Sequence, residues 1–434
     1  MDHFYELSFA LESNSLCFFV GTGFSMHVTD GNAPNWLSLL KDATSGVEGG
    51  NELIEQLFPD NKPIMSLEEC ASVIQAKMHT QDKCLHAEIA KIINGLKITD
   101  NKLKAFDFIR KHTNVKYITT NYDGLIETQI LKGIPSTSFS IGYPIHRQSK
   151  GVHVYHVHGS IKYPKKMVVT ADDYFRFINS PDYFSHKVET LFQENSVVII
   201  GYSLGDINFK SILNKHRSNR HHDINRQHLF YLSRSPVDQH IKDYYDRVYG
   251  LRVIDNLGID EFFQCLEDTY NVVKPDVNLF KDFLYPVLNG DASLTDSYLK
   301  KNDSFFEIIA MLTANGIIVS HPTVVEFLAD VLERKRVLTT ANGAWGQYVH
   351  LAGWLIHIGS IMDIKDTPLE ETYLNAVKRS FNTMSKGMVM GCSWHAFNKW
   401  KSGWYHLTYD NRVMVSKYMR NNGVDDDGLE VINQ

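Results

Sequence analysis

Four short motifs hold the residue types that do chemistry. Gly21-Thr22-Gly23-Phe24-Ser25 follows a short apolar run, and glycines in such a turn let the backbone approach a pyrophosphate. Thr119-Thr120-Asn121-Tyr122-Asp123 sets a neutral amide two residues from a carboxylate, a pair able to orient hydroxyls and support developing positive charge. His156-Val157-His158-Gly159-Ser160 supplies an imidazole, His158, that can take a proton. Gly201-Tyr202-Ser203-Leu204-Gly205-Asp206 adds a second glycine-bearing turn. The last three each fall just after a segment that reads as a strand, where the ligand crevice of an open α/β sheet lies.

Simpler readings stand beside these. Asn-x-Asp followed by Gly124 is good turn chemistry in its own right. His156 and His158, two apart on a strand, share a face and could hold a metal, but His153 has the opposite parity and His146 lies in a separate loop. Met26 stands where a dinucleotide fingerprint needs a third small residue, and Pro34 soon interrupts any long helix. An ordinary hydride-transferring enzyme is therefore disfavoured.

The elements that must position these motifs are an alternation of strands and helices. Apolar runs at Leu16–Gly21, Val115–Thr119, Val152–Val157, Val197–Ile200, His228–Leu232 and Leu251–Ile254 read as strands covered on both faces. Helical patterns lie between them, including Trp36–Ala43, Ser66–Lys77, Leu103–Lys111, Tyr183–Glu194 and Asn208–Lys215. The alternation predicts an α/β fold, a Rossmann-like doubly wound parallel sheet, with a helical insertion over about 51–103. Strand signals stop after Val272-Val273-Lys274-Pro275-Asp276. The expected division is residues 1–274 for the sheet domain and 275–434 for an all-α C-terminal domain of assembly or regulation.

Composition narrows the class. The chain has 434 residues, 43% hydrophobic and 22% charged, enough for two or three packed domains and not for a disordered chain. Its formal net charge of -6 gives no global attraction for nucleic acid or an anionic membrane, and no direct nucleic-acid binding is expected. A basic, His-rich loop over 215–228 could dock a nucleotide phosphate or a nucleic-acid-bearing partner, or simply be solvated. The five cysteines lie far apart without a Cys-x-x-Cys pair, which points to a reducing, cytoplasmic setting and offers no zinc cage. Tyr348–Met362 is apolar but short and reads as a buried helix, and no membrane association is expected. Five of the six tryptophans fall in the last hundred residues, as core or as an interface, and Asp425–Asp427 reads as a solvated tail.

In order and content, the Gly-Thr-Gly-Phe-Ser turn, Pro34-Asn35-Trp36, Thr-Thr-Asn-Tyr-Asp, His-Gly-Ser and Gly-Tyr-Ser motifs resemble the sirtuin family. More closely they resemble its zinc-less, NAD-cleaving effectors of bacterial antiphage defence. The resemblance covers roughly the first 270 residues. It implies an NAD+ hydrolase in which Gly21, Thr22, Gly23, Gly201 and Ser203 hold the pyrophosphate, and Ser25, Asn121 and Asp123 line the nicotinamide and ribose pocket. His158 would be the catalytic histidine and Ser233 a contact to the adenosine ribose. NAD+ is then substrate, and no metal is implied. The resemblance also implies homo-oligomers and a defence-operon partner such as a HerA-type ATPase, a short Argonaute or a nucleotide-processing protein. Thr22 stands for the usual Ala, Thr120 for the usual Gln, and the four-cysteine zinc ribbon of protein deacylases is missing. A protein deacylase or ADP-ribosyltransferase, and a non-catalytic NAD or ADP-ribose sensor, are the alternatives.

The chemistry suits these residue types. Cleaving the nicotinamide–ribose bond forms an oxocarbenium-like centre from a leaving group already cationic, so positioning, polar stabilisation and an activated acceptor matter more than a strong acid.

Overall fold

The computed structural model describes residues 3–99, 103–141, 151–179, 183–203, 229–288 and 290–434, the last without 315, 316, 318, 320, 342 and 388. The chain opens with α1 (His3–Glu12) and β1 (Leu16–Val20), whose Leu-Cys-Phe-Phe-Val is buried throughout. After α2 (Thr22–Val28) come four helices, α3 (Trp36–Ser45), α4 (Gly50–Leu57), α5 (Leu67–His79) and α6 (Leu85–Asn94). Asn35 caps α3 by accepting from the Ser38 amide, and Ser66 with Glu69 forms a reciprocal cap on α5. Leu39, Leu40 and Ala43 of α3 share a core with Cys70, Ile74 and Ile89, so the helical insertion begins earlier than residue 51.

The chain then runs through α7 (Lys104–Lys111), β2 (Lys116–Thr119), β3 (Ser136–Ser140), β4 (Val152–His156), α8 (Ala171–Asn179), α9 (Tyr183–Glu194) and β5 (Ser196–Ile200). It continues through β6 (Leu229–Leu232), α10 (Gln239–Tyr249) and β7 (Leu251–Ile254). The seven strands form one sheet in the order β3-β4-β2-β1-β5-β6-β7, every pairing parallel. This is the doubly wound sheet expected from the alternation. It adds β3, a strand the apolar pattern does not reveal because Ser-Thr-Ser-Phe-Ser needs to bury little beyond Phe139, stacked on Tyr155 with centroids 4.8 Å apart. An edge strand whose one buried apolar side chain is Phe139 carries no continuous apolar run.

Register decides what the sheet brings together. Val20 of β1 pairs with Thr119 of β2 and with Ile200 of β5, and Thr119 pairs with His156 of β4. Four strand ends thus stand level, and the motif after each emerges at one edge. From β1 the chain winds outward through β2 and then returns to β5 on the other side, which makes the β1 end the switch point where such sheets bind ligands. One face of the sheet packs Phe18, Tyr117 and Phe230 against α1 and α7, and the other packs Phe19, Ile118 and Ile199 against α9 and α10.

Beyond β7, α11 (Ile259–Leu288) is one 30-residue helix with Pro275 and Pro286 inside it. The division expected near Lys274 therefore falls within a helix and not in a linker. The physical reason is packing: Tyr270 belongs to the sheet core and Val273 to the helical core, so α11 passes from one to the other. The rest is helical: α12 (Asp296–Leu299), α13 (Ser304–Ala314), α14 (Pro322–Leu338), α15 (Trp345–Ile361), α16 (Glu370–Phe381), α17 (Trp394–Gly403), α18 (Tyr409–Asn421) and α19 (Asp426–Ile432). Trp354, Trp400 and Trp404 are buried in this core, whereas Trp345 and Trp394 are exposed. Asp425–Asp427 is not a solvated tail. Asp425 caps α19 by accepting from the Gly428 amide, and Asp427 accepts from Ser385 and the Lys386 amide. Among the described residues no helix is long and apolar enough to cross a membrane, and Tyr348–Ile361 lies within α15, as a buried helix would. All five cysteines are free thiols.

Candidate functional site

A cavity of about 620 Å³ opens at the level strand ends. Six of the residues singled out from sequence line it: Thr22 and Ser25 from α2, Asn121 and Asp123 after β2, His158 after β4, and Ser203 after β5. They lie up to 181 positions apart in the chain, from Thr22 to Ser203, and meet because the parallel register levels their strands.

The glycines act by close approach. A Cβ on Gly23 would stand 2.8 Å from Gly201 Cα, and one on Gly21 would meet the Tyr202 ring at 2.7 Å. Gly201 itself has φ +77°, where a side chain is strained, and a Cβ there would come within 2.3 Å of the Phe24 amide nitrogen. The two turns are laced together, Gly21 N–H donating to Ile200 O at 2.8 Å and Gly23 N–H to Gly201 O at 2.9 Å. Those amides are committed to the fold, so the glycines shape the turn.

Behind the cavity a polar chain fixes the amide and the carboxylate. Asn121 Nδ2 donates to Ser25 Oγ at 2.8 Å, and Ser25 Oγ donates to Asp123 Oδ2 at 2.7 Å. This leaves Asn121 with its carbonyl oxygen and one amide hydrogen for a ligand. Asp123 Oδ1 accepts from the Leu125 amide at 3.1 Å, and burial holds its carboxyl above the usual carboxylate range against these hydrogen bonds. The Asn-x-Asp turn reading is thus partly right, since Asp123 does cap its own turn, but the same carboxylate also reaches Ser25, 98 residues away.

His158 is 4% exposed, and its ring packs edge-on against Tyr174 and Phe177 of α8, at 5.4 and 5.3 Å. Burial pushes its imidazole down to about 4, so at neutral pH it is uncharged and can accept a proton.

His156 does something different. It closes β4, and its Nε2 donates to Glu127 Oε1 at 2.8 Å while Nδ1 donates to the Asn121 carbonyl at 3.1 Å. Burial opposes charge on both partners, but their hydrogen bond and mutual attraction outweigh it: the Glu127 carboxyl is held below its ordinary value and the His156 imidazole above. With both ring nitrogens engaged, His156 has no lone pair to offer a metal. His158 lies beyond the strand end and lines the cavity, so the shared-face premise of a two-histidine site does not hold. Among the described residues no group of three or more His, Cys, Asp or Glu stands close enough to hold an ion.

Sequence reasoning missed several participants. Glu127 supplies the carboxylate that pairs with His156 and favours its charged form. Tyr202 stacks on Phe19 at 4.8 Å and shares a 2.6 Å hydrogen bond with Thr120, tying β5 to β2 across the β1 end. Trp36 lines the cavity with its indole N–H buried and unpaired among the described residues, a donor ready for a ligand. Trp36 and Tyr202 left a signal, in the Pro34-Asn35-Trp36 and Gly201-Tyr202-Ser203 motifs; Glu127 depends on a contact across a long stretch of chain. Ser233 stands apart. It follows β6, its Oγ donates to Ser235 O at 2.7 Å, and it does not line the cavity. Leu204, Gly205, Asp206, the Asn208–Lys215 helix, the 215–228 loop, His146 and His228 lie outside the described residues.

A parallel doubly wound sheet with an Asn, Asp and His cavity at its switch point is an α/β arrangement with a ligand-sized site at its strand ends, and comparison shows what it is similar to. Residues 115–254 match the SIR2-like domain family, a span that holds Asn121, Asp123, His158, Gly201 and Ser203 and leaves the Gly21–Ser25 turn outside. Over that span the chain is similar to SIR2-like domains. It is 26% identical over 350 residues to Defense-associated sirtuin 2 of Bacillus subtilis, an alignment covering 73% of this chain and 32% of that protein. The chain thus spans about a third of the length of the curated relative it matches.

Proposed function

We propose that the chain hydrolyses NAD+ to nicotinamide and ADP-ribose, and that it does so in antiphage defence by depleting the nucleotide. The observation that carries this is the convergence of Thr22, Ser25, Asn121, Asp123, His158 and Ser203 on one cavity, in a sirtuin-like sheet. Its volume falls within the usual range for ligand pockets, roughly 300–1,000 Å³. The defence role rests on the relative's name and on the sequence resemblance.

In this reading the close Gly21–Gly23 and Gly201 turns admit the pyrophosphate, with the Thr22 and Ser203 hydroxyls beside it. Asn121, fixed through Ser25, orients the nicotinamide ribose, and Asp123 supports positive charge as the glycosidic bond breaks. The bonding pair leaves with nicotinamide and neutralises its ring nitrogen. A water oxygen bonds to the ribose carbon and gives up its proton to neutral His158. Nothing in this sequence of steps calls for a metal. Replacing Asn121 by Ala should abolish nicotinamide release while the melting temperature stays close to the parent's. Full release from a folded Asn121→Ala protein would remove the assignment.

An NADase active at all times would drain its own cell, so restraint through assembly belongs to the proposal. Self-association or an operon partner of the HerA-type ATPase, short Argonaute or nucleotide-processing kinds would supply it, with exposed Trp345 and Trp394 as the anchors on this chain. Light scattering of the full chain reads the first possibility, and a strictly monomeric mass would exclude it.

A further inference from the structure

A second cavity, of about 510 Å³, lies at the seam between the sheet and the C-terminal helices. One wall comes from α1, α10 and β7, the other from α15, α17 and the turn after α17. It shares no lining residue with the first cavity.

Apart from the Asp246 carboxylate, its charges sort into those already neutralised and those left over. Arg252 grips Glu6 with two hydrogen bonds, at 2.9 and 2.7 Å. Lys242 pairs with Asp255 at 2.9 Å, and Asp243 takes Arg412 from α18. Basic groups from both walls remain: His3 on α1, Lys399 on α17 and His406 just after it. Among the described residues, the side chains of Lys399 and His406 have no hydrogen-bond or ion-pair partner. His3 Nδ1 is wholly buried and has none either. Burial, with the nearby Arg252 guanidinium, pushes the His3 imidazole down to about 3, so at neutral pH it is uncharged and can donate from a ring N–H. A buried polar atom without a partner costs roughly 1–3 kcal/mol unless something satisfies it.

We propose that this seam cavity binds a phosphorylated small molecule, whose anionic group is held by Lys399 and His406 and accepts from His3. The ligand would touch both parts of the chain and bind only when they are docked. It would therefore report on, and stabilise, the docked arrangement. The proposal does not depend on the chemistry assigned to the first cavity.

The test uses the full chain and inorganic phosphate, the simplest probe of the class, in calorimetry at low ionic strength. Phosphate should bind the parent, with measurable heat at roughly 10 mM or below, and raise its melting temperature. Lys399→Gln and His406→Gln, both at accessible positions, should each weaken binding by about tenfold, the loss expected of one charge-assisted contact. Ser203→Ala, beside the pyrophosphate turn of the first cavity, should leave phosphate affinity unchanged. Equal affinity in the parent and in the Lys399→Gln/His406→Gln double variant would overturn the proposal, and so would no binding to the parent. Weakening by Ser203→Ala but by neither seam variant would overturn it too, because it would place the phosphate in the first cavity.

Discussion

At the scale of residues, the site depends on two histidines two positions apart that do opposite things. His158 is buried without a charged partner and stays neutral at neutral pH, whereas His156 is buried against Glu127, which favours its charged form. If neutral His158 is the base, kcat/KM should hold from neutral pH down to about 5 and fall as the pH drops through about 4, where the imidazole protonates. A fall centred near 6.5, the value of an unperturbed histidine, would contradict that assignment. His156 holds the backbone carbonyl of Asn121, so in the proposed hydrolysis it would be a positioning residue. Removing the charge with Glu127→Gln should return His156 to its neutral form and lower kcat several-fold with KM little changed. A merely structural pair would lower the melting temperature and leave turnover per folded molecule as it was. Asn121, Asp123 and His158 are legible in the sequence because each follows a strand-like run. Glu127 is not, because nothing in Gly-Leu-Ile-Glu-Thr tells that its carboxylate meets a histidine 29 positions later.

At the scale of elements, parallel register does the assembling, and the two glycine turns fix how closely β1 and β5 end together. Gly201→Ala combines a left-handed backbone with a Cβ 2.3 Å from the Phe24 nitrogen. It should cost at least about 1–3 kcal/mol and abolish nicotinamide release. Gly133, with φ +86° and open space around its Cβ, is the control. Gly133→Ala should cost about 1 kcal/mol by calorimetric melting and leave cleavage intact. Equal costs at the two positions would mean that the turn contact has no special weight. Six of the seven strands announce themselves as apolar runs. The seventh, β3, does not, because an edge strand of alternating serines resembles a loop until its neighbour is known.

At the scale of the whole molecule, the sheet and the C-terminal helices are joined by α1 and α11 and not strung on a linker. Phe9 of α1 is buried in the helical core while Leu7, Ala10 and Leu11 of the same helix belong to the sheet core. Pro275 suggests a break to a reader of the sequence, and only packing on both sides shows why the helix continues. Phe9→Ala should therefore lower one cooperative unfolding transition, by about 3–5 kcal/mol for a truncated core aromatic. Two separate transitions, only one of them moved, would mean that the two cores fold independently.

The most direct measurement is of products. The purified full chain incubated with NAD+ should release nicotinamide and ADP-ribose one for one over repeated turnovers, and Asn121→Ala, equally folded, should release neither. Equal release by the two proteins, or no release by a parent that melts cooperatively and binds NAD+, would contradict the hydrolase account.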